Sequence, residues 1–594
     1  MKYPIETIRH TLAHVMAYAV KQLYPDVKFG IGPVIEDGFY YDFDSEHKFS
    51  QEDFNEIEKK MRKIIAEKIP VEHLHIPIDQ AIKDASVQGQ KYKLQLLEQI
   101  KSGERMAIEE ADIEKQKSGE ISFYRIGSAA GGFTDLCKGP HVENTGDLPK
   151  DGFKISRVAG AYWQGSEKNP QLTRVYGYAF ATKEELDNYL AMLEEAKKRD
   201  HRVLAQQLDL FSQHEVSPGT IFWHPKGMII WKEMEKFIRS MNDRYGYGEV
   251  STPVMVKKEL YETSGHWEHY HDNGFWFDID KETYVLKPMN CPEGTLIYSS
   301  RLRSYRDLPI RLAEPTGKLH RNELRGVLGG LFRVRQFVQD DAHVFCRPDQ
   351  IEDEVSDLLK YTQELYTIFG LPISFRFATR PDKAMGDPRL WKKAEEALES
   401  ILKKLKLDYQ TKPKDGAFYG PKIDIHAKDA IGREHQLATI QLDFQMPERF
   451  KLEYIDENGV AQRPVMIHRA IFGSFERFLG VLIEHYAGAF PLWLAPVQVI
   501  IIPVSEKFSE YAKSVFNQFK ESGMRAEMSE ASETLGKRIR EAEMQKVPYL
   551  LIVGEKEIAA NAVAVRQRGK GDIGQMELEK LIIQLKEEIL KKTL

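Results

Sequence analysis

The chain has 594 residues, too many for one hydrophobic core, so roughly three or four domains are expected. Hydrophobic residues at 42% and charged residues at 29% are ordinary for a soluble, folded protein and speak against disorder. A net charge of -6 excludes a uniformly basic surface, so any nucleic-acid contact must gather its cations locally. Three cysteines, Cys137, Cys291 and Cys346, are too few and too scattered for a disulfide framework and suit a reducing cytoplasm. The charged stretch MKYPIETIRHTLAH shows no apolar h-region or small-residue cleavage site, and the most apolar stretch, residues 490–504, is broken by prolines and Gln498. No membrane span and a cytoplasmic location are expected.

The first predicted element is an amphipathic helix with Ile8, Leu12, Val15, Ala19 and Leu23 at helical spacing. Beyond Gly30 strand-like runs such as GFYYDFD appear, and this α+β block extends to residue 181. HTLAH sets His10 and His14 one turn apart on one helix face, and CKGPH adds Cys137 and His141. Four such ligands suit tetrahedral zinc. Thr182 with Glu185 makes a capping-box signature ahead of Leu186, Leu190 and Leu193. The charged run AKKRDHR completes a helical connector over 182–207.

From 208 to 494, helices mix with alternating segments that lack the regular crossovers of a doubly wound fold, predicting an antiparallel sheet with flanking helices. Read as a strand, LFRVRQFVQDDAHVF presents Arg333, Arg335, Phe337, Gln339, Asp341 and His343 on one face. The other face carries mainly Phe332, Val334, Val338, Ala342 and Val344. The polar row suits an anionic, aromatic ligand; the alternative is a surface strand laced by salt bridges. Residues 495–594 alternate strand and helix, from VQVIIIPV through PYLLIVG to a closing helix with Leu578, Leu581, Leu585 and Ile589, as a small α/β domain does. The fold class expected is α/β multidomain (α+β).

LHRNE, holding Arg321 and Glu323, followed by RGVLGG and the strand, resembles motif 2 of the class II aminoacyl-tRNA synthetases. IHRAIFGSFERFLGVLIEH resembles motif 3, with Gly473 before Arg477 in the first helical turn. The segment from Met228 through YGYGEVSTPVM resembles motif 1, which ends at Pro253 and in this class builds a homodimer interface. Each is weak alone; three in order are specific. The resemblance implies ATP with Mg²⁺, Arg321 holding the amino acid carboxylate and the α-phosphate together, and adenine between Phe337 and Arg477. Glu323 and Arg333 join that nucleotide-binding and catalytic set.

Within the class, MNCPEG, QDDAHVF and VMIHRAIFGSFERF are similar to the threonyl-tRNA synthetases. That implies Cys291, His343 and His468 as ligands of one zinc ion per subunit, with Asp341 accepting the threonine hydroxyl proton. Tyr419 and Lys422 of GAFYGPKID fall near the amino group, and Gln339, Gln436, Gln441 and Ser474 match further active-site positions. The three zinc ligands lie too far apart for any spacing argument. The physics fits, because a hydrophobic pocket separates threonine from valine poorly, whereas a site that must bind the hydroxyl rejects the analogue by about 10⁴–10⁵-fold.

Serine has both zinc-binding groups and lacks only a methyl, worth about 1–3 kcal/mol, so an editing site is required. The HxxxH and CxxxH pairs resemble the editing domain shared by threonyl and alanyl enzymes, which hydrolyses seryl-tRNA. This implies roles for His10, His14, Cys137, His141, Asp135 and Lys93, working through polar groups and water; the zinc reading stays beside it. The last domain resembles the family's anticodon-binding domain, implying base contacts by Glu557 and Arg566, although RQRGKG also reads as a solvated turn. Expected partners are tRNA(Thr), threonine, ATP and a second copy of the chain. The editing block starts almost at Met1, where many bacterial members carry a small ubiquitin-like domain first. Rival readings are a class II synthetase for serine or proline, an RNA-binding regulator, and a free-standing editing protein. The Cys291, His343 and His468 set beside the HxxxH and CxxxH pairs speaks against the first, Arg321, Arg477 and the zinc ligands against the second, and the intact central block against the third.

Overall fold

The computed structural model describes residues 2–103, 119–129, 131–323 and 329–594. Residues 324–328, which include the first four of the glycine-rich RGVLGG loop, lie outside them. Two compact units form, Met1–Glu194 and Glu195–Leu594.

In the first unit the amphipathic pattern becomes the helix Ile5–Leu23, whose Leu12, Val15, Met16 and Ala19 are fully buried. They pack on Phe39, Tyr41 and Phe43 of the strand Gly38–Asp44. That strand lies in an antiparallel sheet ordered Lys28–Phe29, Gly38–Asp44, Gln171–Ala179, Phe153–Tyr162. A second antiparallel sheet joins Val71–Pro77, Glu120–Ile126 and Phe133–Leu136. At the connector, the Glu185 N–H donates to Thr182 Oγ1 at 3.1 Å as the capping signature predicts. The Glu185 carboxylate reaches one residue further back than expected, accepting from the Ala181 N–H at 3.0 Å.

The second unit is built on an eight-stranded sheet. Its order is Gly248–Glu249, Ile310–His320, Gln336–Cys346, Val465–Ser474, Glu434–Asp443, Lys422–Lys428, Ile373–Ala378, Tyr409–Lys412. Only the two edge pairings are parallel; the inner ones are antiparallel, as the class II resemblance implies. Helices Pro225–Arg244, Ile351–Ile368, Pro388–Lys404 and Phe475–His485 cover it with apolar faces. The C-terminal sheet runs Ala526–Met528, Val499–Pro503, Tyr549–Val553, Ala562–Gln567, Gly571–Glu577. Its first three strands are parallel and its last two form an antiparallel hairpin.

The predicted polar-row strand needs two corrections. It starts at Gln336, so Arg333, bridged to Gly329, and Arg335, in a bend, both lie before it. From Asp340 to Cys346 every side chain is buried, because a central strand of a covered sheet has no solvent face. A bulge also shifts the pairing, from Gln339 opposite Ser474 to Asp341 opposite Ala470. The Asp340 carboxylate accepts the Ile471 and Phe472 N–H groups at 2.9 and 3.0 Å there. Gly473 completes the bulge at φ +73°, and a Cβ on it would sit 2.4 Å from the Leu437 carbonyl oxygen. Beside it Arg469 is fully buried between the rings of Tyr247 and Tyr361, at 4.6 and 5.4 Å. Its guanidinium donates to the Asp340 carbonyl at 2.8 Å and to Asn242 Oδ1 at 2.5 Å.

Candidate functional site

Sheet register assembles the central site. His343 lies opposite His468, His468 opposite Gln441, and Gln441 opposite Lys422, a row across four adjacent strands. Cys291 opens the helix Cys291–Ser299 beside that row. Ligand atoms of Cys291, His343 and His468 lie within 4.8 Å of one another, and all three residues are buried. Nε2 of His343 is buried with no hydrogen-bond partner among the described residues. Left so, it costs about 1–3 kcal/mol, which a bound cation would remove. Nε2 of His468 sits 2.9 Å from Asp443 Oδ2, leaving Nδ1 for a ligand role. Burial pushes the Cys291 thiol up and the His343 imidazolium down. One thiol and two imidazoles form a donor set that fits zinc and leaves coordination positions open.

Asp341 is buried beside this set, pushed up to about 6 by burial, and takes a hydrogen bond from Asn290 Nδ2 at 3.3 Å. Tyr419 donates to Gln441, and its ring stands 4.9 Å from that of His468. Lys422 pairs with Asp424 at 2.6 Å, and Asp424 also accepts from Thr439 Oγ1 at 3.0 Å. Gln436, at the other end of its strand, is exposed and opposite His426.

The arginine set flanks the same sheet. Arg321 follows the strand Ile310–His320, with its guanidinium 5.5 Å from the Phe337 ring centroid. Arg333 pairs with Glu323 at 3.0 Å. Ser474 accepts from the Arg477 N–H and donates to Glu476, both at 3.1 Å, capping the helix Phe475–His485. Gln339 is in register with Ser474, and Nε of Arg477 is buried without a hydrogen-bond partner among the described residues.

A second cluster occupies the first unit. His10, His14, Cys137 and His141 bring ligand-type atoms within 4.8 Å of one another. Cys137 Sγ stands 3.2 Å from His10 Nε2 and 3.3 Å from His141 Nε2. Burial holds His10 down to about 4, His14 and His141 well below the usual imidazole range, and the Cys137 thiol up to about 12. Asp135 accepts from Tyr41 at 2.5 Å, pairs with buried Lys93 at 2.5 Å and lies 3.6 Å from His14 Nε2. Neutral imidazoles thus face one hydrogen-bonded carboxylate and one ammonium.

Three family descriptions match this chain. Residues 275–486 match the tRNA synthetase class II core domain (G, H, P, S and T), and residues 498–588 an anticodon binding domain. Residues 121–176 match the threonyl and alanyl tRNA synthetase second additional domain. The threonine–tRNA ligase of Carboxydothermus hydrogenoformans is 50% identical over 587 residues, 99% of this chain and 89% of that relative. That of Caldanaerobacter subterraneus subsp. tengcongensis is 50% identical over 585 residues, 98% of this chain and 87% of the relative. This chain belongs to the threonine–tRNA ligase family. A crystal structure of the RNA binding domain of the Cryptosporidium parvum Iowa II threonyl-tRNA synthetase is also similar. It has a TM-score of 0.63 and 43% identity, covering 65% of this chain and 98% of that one.

Against the threonine–tRNA ligase frame, the two anticodon candidates are engaged locally. Glu557 accepts from the Gly554 N–H at 3.0 Å, closing the start of its own helix Glu555–Ala559. Arg566 lies 3.8 Å from Glu543. Four residues that the sequence reading did not single out shape the central site: Asp443, Asn290, Asp424 and His266. Nε2 of His266 is 3.6 Å from Cys291 Sγ, and burial holds its imidazolium down to about 3. Asn290 stands directly before Cys291 and Asp424 two residues after Lys422. Proximity in sequence was their only signal; His266 and Asp443 had none.

Proposed function

We propose that this chain activates threonine with ATP and Mg²⁺, transfers it to tRNA(Thr), and hydrolyses mischarged seryl-tRNA(Thr) in its first unit. The observation that carries the reading is the buried Cys291, His343 and His468 set beside Asp341, at the class II sheet whose adjoining segments carry Arg321 and Arg477. Zinc bound there would supply Lewis-acid coordination to the amino and hydroxyl groups of threonine. The chain's own residues do the rest. Arg321 holds the threonine carboxylate against the α-phosphate and stabilises charge on the transferring group. Phe337 and Arg477 face the adenine, with Glu323 and Arg333 at its edge. Asp341 accepts the hydroxyl hydrogen, a requirement valine cannot meet. Tyr419, Lys422, Gln339 and Gln441 frame the amino acid and phosphates, and Gln436 belongs to the nucleotide-binding set.

His10, His14, Cys137, His141, Asp135 and Lys93 serve editing, and Glu557 and Arg566 read anticodon bases. The domain division we propose is 1–181 for editing, 182–207 as connector, 208–494 for catalysis and 495–594 for anticodon binding. Exposed Met255, Trp276, Phe277 and Ile279, on the small sheet Met255–Lys257, Glu282–Leu286, Phe275–Ile279, support a homodimer through motif 1. Among the described residues no helix is long and apolar enough to cross a membrane. The three cysteines are free thiols, which supports a cytoplasmic setting.

The test is zinc content together with ATP–pyrophosphate exchange on threonine, serine and valine, for the unaltered chain and Cys291→Ala. Stoichiometric zinc with exchange ordered threonine, serine, then almost none with valine is expected, and Cys291→Ala should lose it. A chain without zinc, or one that prefers another amino acid, sinks the threonine reading and leaves the class II framework.

A further inference from the structure

The helix His201–Leu208 begins with a histidine that the nucleotide site does not contain but that touches two of its supports. Asp200 caps this helix, accepting from the Arg202 N–H at 2.9 Å, which fixes His201 in the first turn. The His201 side chain is buried. Its Nδ1 is 2.7 Å from Glu484 Oε1, and its backbone N–H reaches the same oxygen at 3.1 Å. Its Nε2 is 2.9 Å from the backbone nitrogen of Leu331.

An amide N–H can only donate, so Nε2 carries the lone pair and Nδ1 the proton that goes to Glu484. Leu331 is fully buried, and no other acceptor for its N–H is among the described contacts. The preceding Gly330 has φ +52°, and a Cβ on it would sit 2.0 Å from His201 Nε2. The Phe332 ring closes the other side, 4.4 Å from the imidazole. The backbone has been shaped around this one side chain.

Both partners lead to nucleotide-binding groups. Leu331 stands two residues before Arg333 and six before Phe337, at the start of the returning limb of motif 2. Glu484 lies in the last turn of the helix Phe475–His485, whose first turn carries Arg477. Arg433 takes the second Glu484 oxygen and also pairs with Asp429, so the carboxylate is fixed from both sides. One imidazole therefore sets the separation between the limb that carries Phe337 and the helix that carries Arg477.

We infer that His201 is a positioning residue for the nucleotide site, holding the Leu331 amide so that Phe337 and Arg333 stand correctly against Arg477. The inference rests on the reading of Phe337, Arg333 and Arg477 as ATP contacts. Its specific content is that the acceptor at Nε2, rather than the bond to Glu484, controls ATP binding.

Two substitutions in the full chain separate these bonds. The amide oxygen of His201→Gln reaches the Nε2 position and can accept from Leu331. The amide of His201→Asn reaches only the Nδ1 position and can donate to Glu484. ATP affinity is measured by calorimetry with Mg²⁺ present, alongside melting temperature and threonine-dependent exchange. We expect His201→Gln to bind ATP within about twofold of the unaltered chain and His201→Asn about tenfold more weakly, a rise in KM for ATP with kcat less affected. Equal ATP affinity in the two variants overturns the inference. So does an affinity loss that follows melting temperature, since that is what a merely structural histidine would give. The unaltered chain's exchange with threonine reports separately on the functional reading: if it is intact while the variants match, only the inference falls.

Discussion

Asp443 holds His468 from behind: one carboxylate oxygen faces the imidazole Nε2 at 2.9 Å while the other accepts the N–H groups of Gln445 and Met446 at 2.6 and 3.0 Å. The carboxylate can only accept from a ring N–H, which keeps the proton on Nε2 and the lone pair on Nδ1. Asp443→Asn keeps the backbone bonds through its oxygen but turns an N–H toward the ring, reversing the tautomer. Zinc affinity should fall about 10–100-fold, read by competition with a chromophoric chelator. Unchanged affinity would mean that His468 does not ligate through Nδ1.

Zinc stoichiometry distinguishes the two clusters. One equivalent per chain is expected, absent in Cys291→Ala. A remaining equivalent that disappears only in Cys137→Ala would place a second ion among His10, His14, Cys137 and His141. Without such an equivalent, Cys137→Ala should still slow deacylation of seryl-tRNA(Thr) by about 10²-fold, the scale of a lost acid–base group, and leave threonine activation untouched.

Asp424 holds Lys422 at 2.6 Å and is itself held by Thr439. In Asp424→Asn the ammonium loses its charged partner in a nearly buried setting. We expect kcat for threonine activation to drop about tenfold or more with little change in KM for threonine. A change confined to KM would assign Lys422 to ground-state binding.

Glu476 gives a pH signature in stability. Burial pushes its carboxyl up to about 7, even though the Val338 N–H and Ser474 hydroxyl donate to it. A carboxyl raised in the folded state favours folding when protonated, so its contribution is full below pH about 4.3 and lost as pH rises through 7. Glu476→Gln keeps an acceptor and cannot ionise. Relative to the unaltered chain its melting temperature should therefore rise between pH 5 and pH 8. A flat difference across that range would rule out a titrating Glu476.

Motifs carried in one stretch of chain were legible in the sequence, and contacts made by sheet register were not. The helix with His10 and His14 and the turn that places Gly473 before Arg477 follow from local pattern. The alternation drawn through 331–345 failed at Asp340, because a bulge and a covered sheet are tertiary facts that period-two reasoning cannot contain. Cys291 meets His343 and His468 only because strands from distant segments pair, so family resemblance found the set where spacing could not. Glu557, a position matched by resemblance, also closes the start of its own helix, a local contact that the family match did not announce.

The buried Arg469, clasped by Tyr247, Tyr361, Asn242 and Asp340, bears on misfolding. Slipping the strand Val465–Ser474 by one residue would move His468 off His343 and pull this guanidinium from every partner it has. Removing one side of such a buried pair costs about 3–5 kcal/mol, so slipped chains stand well above the native arrangement. The facing of His343 and His468 is thereby selected during folding itself, ahead of any encounter with a ligand.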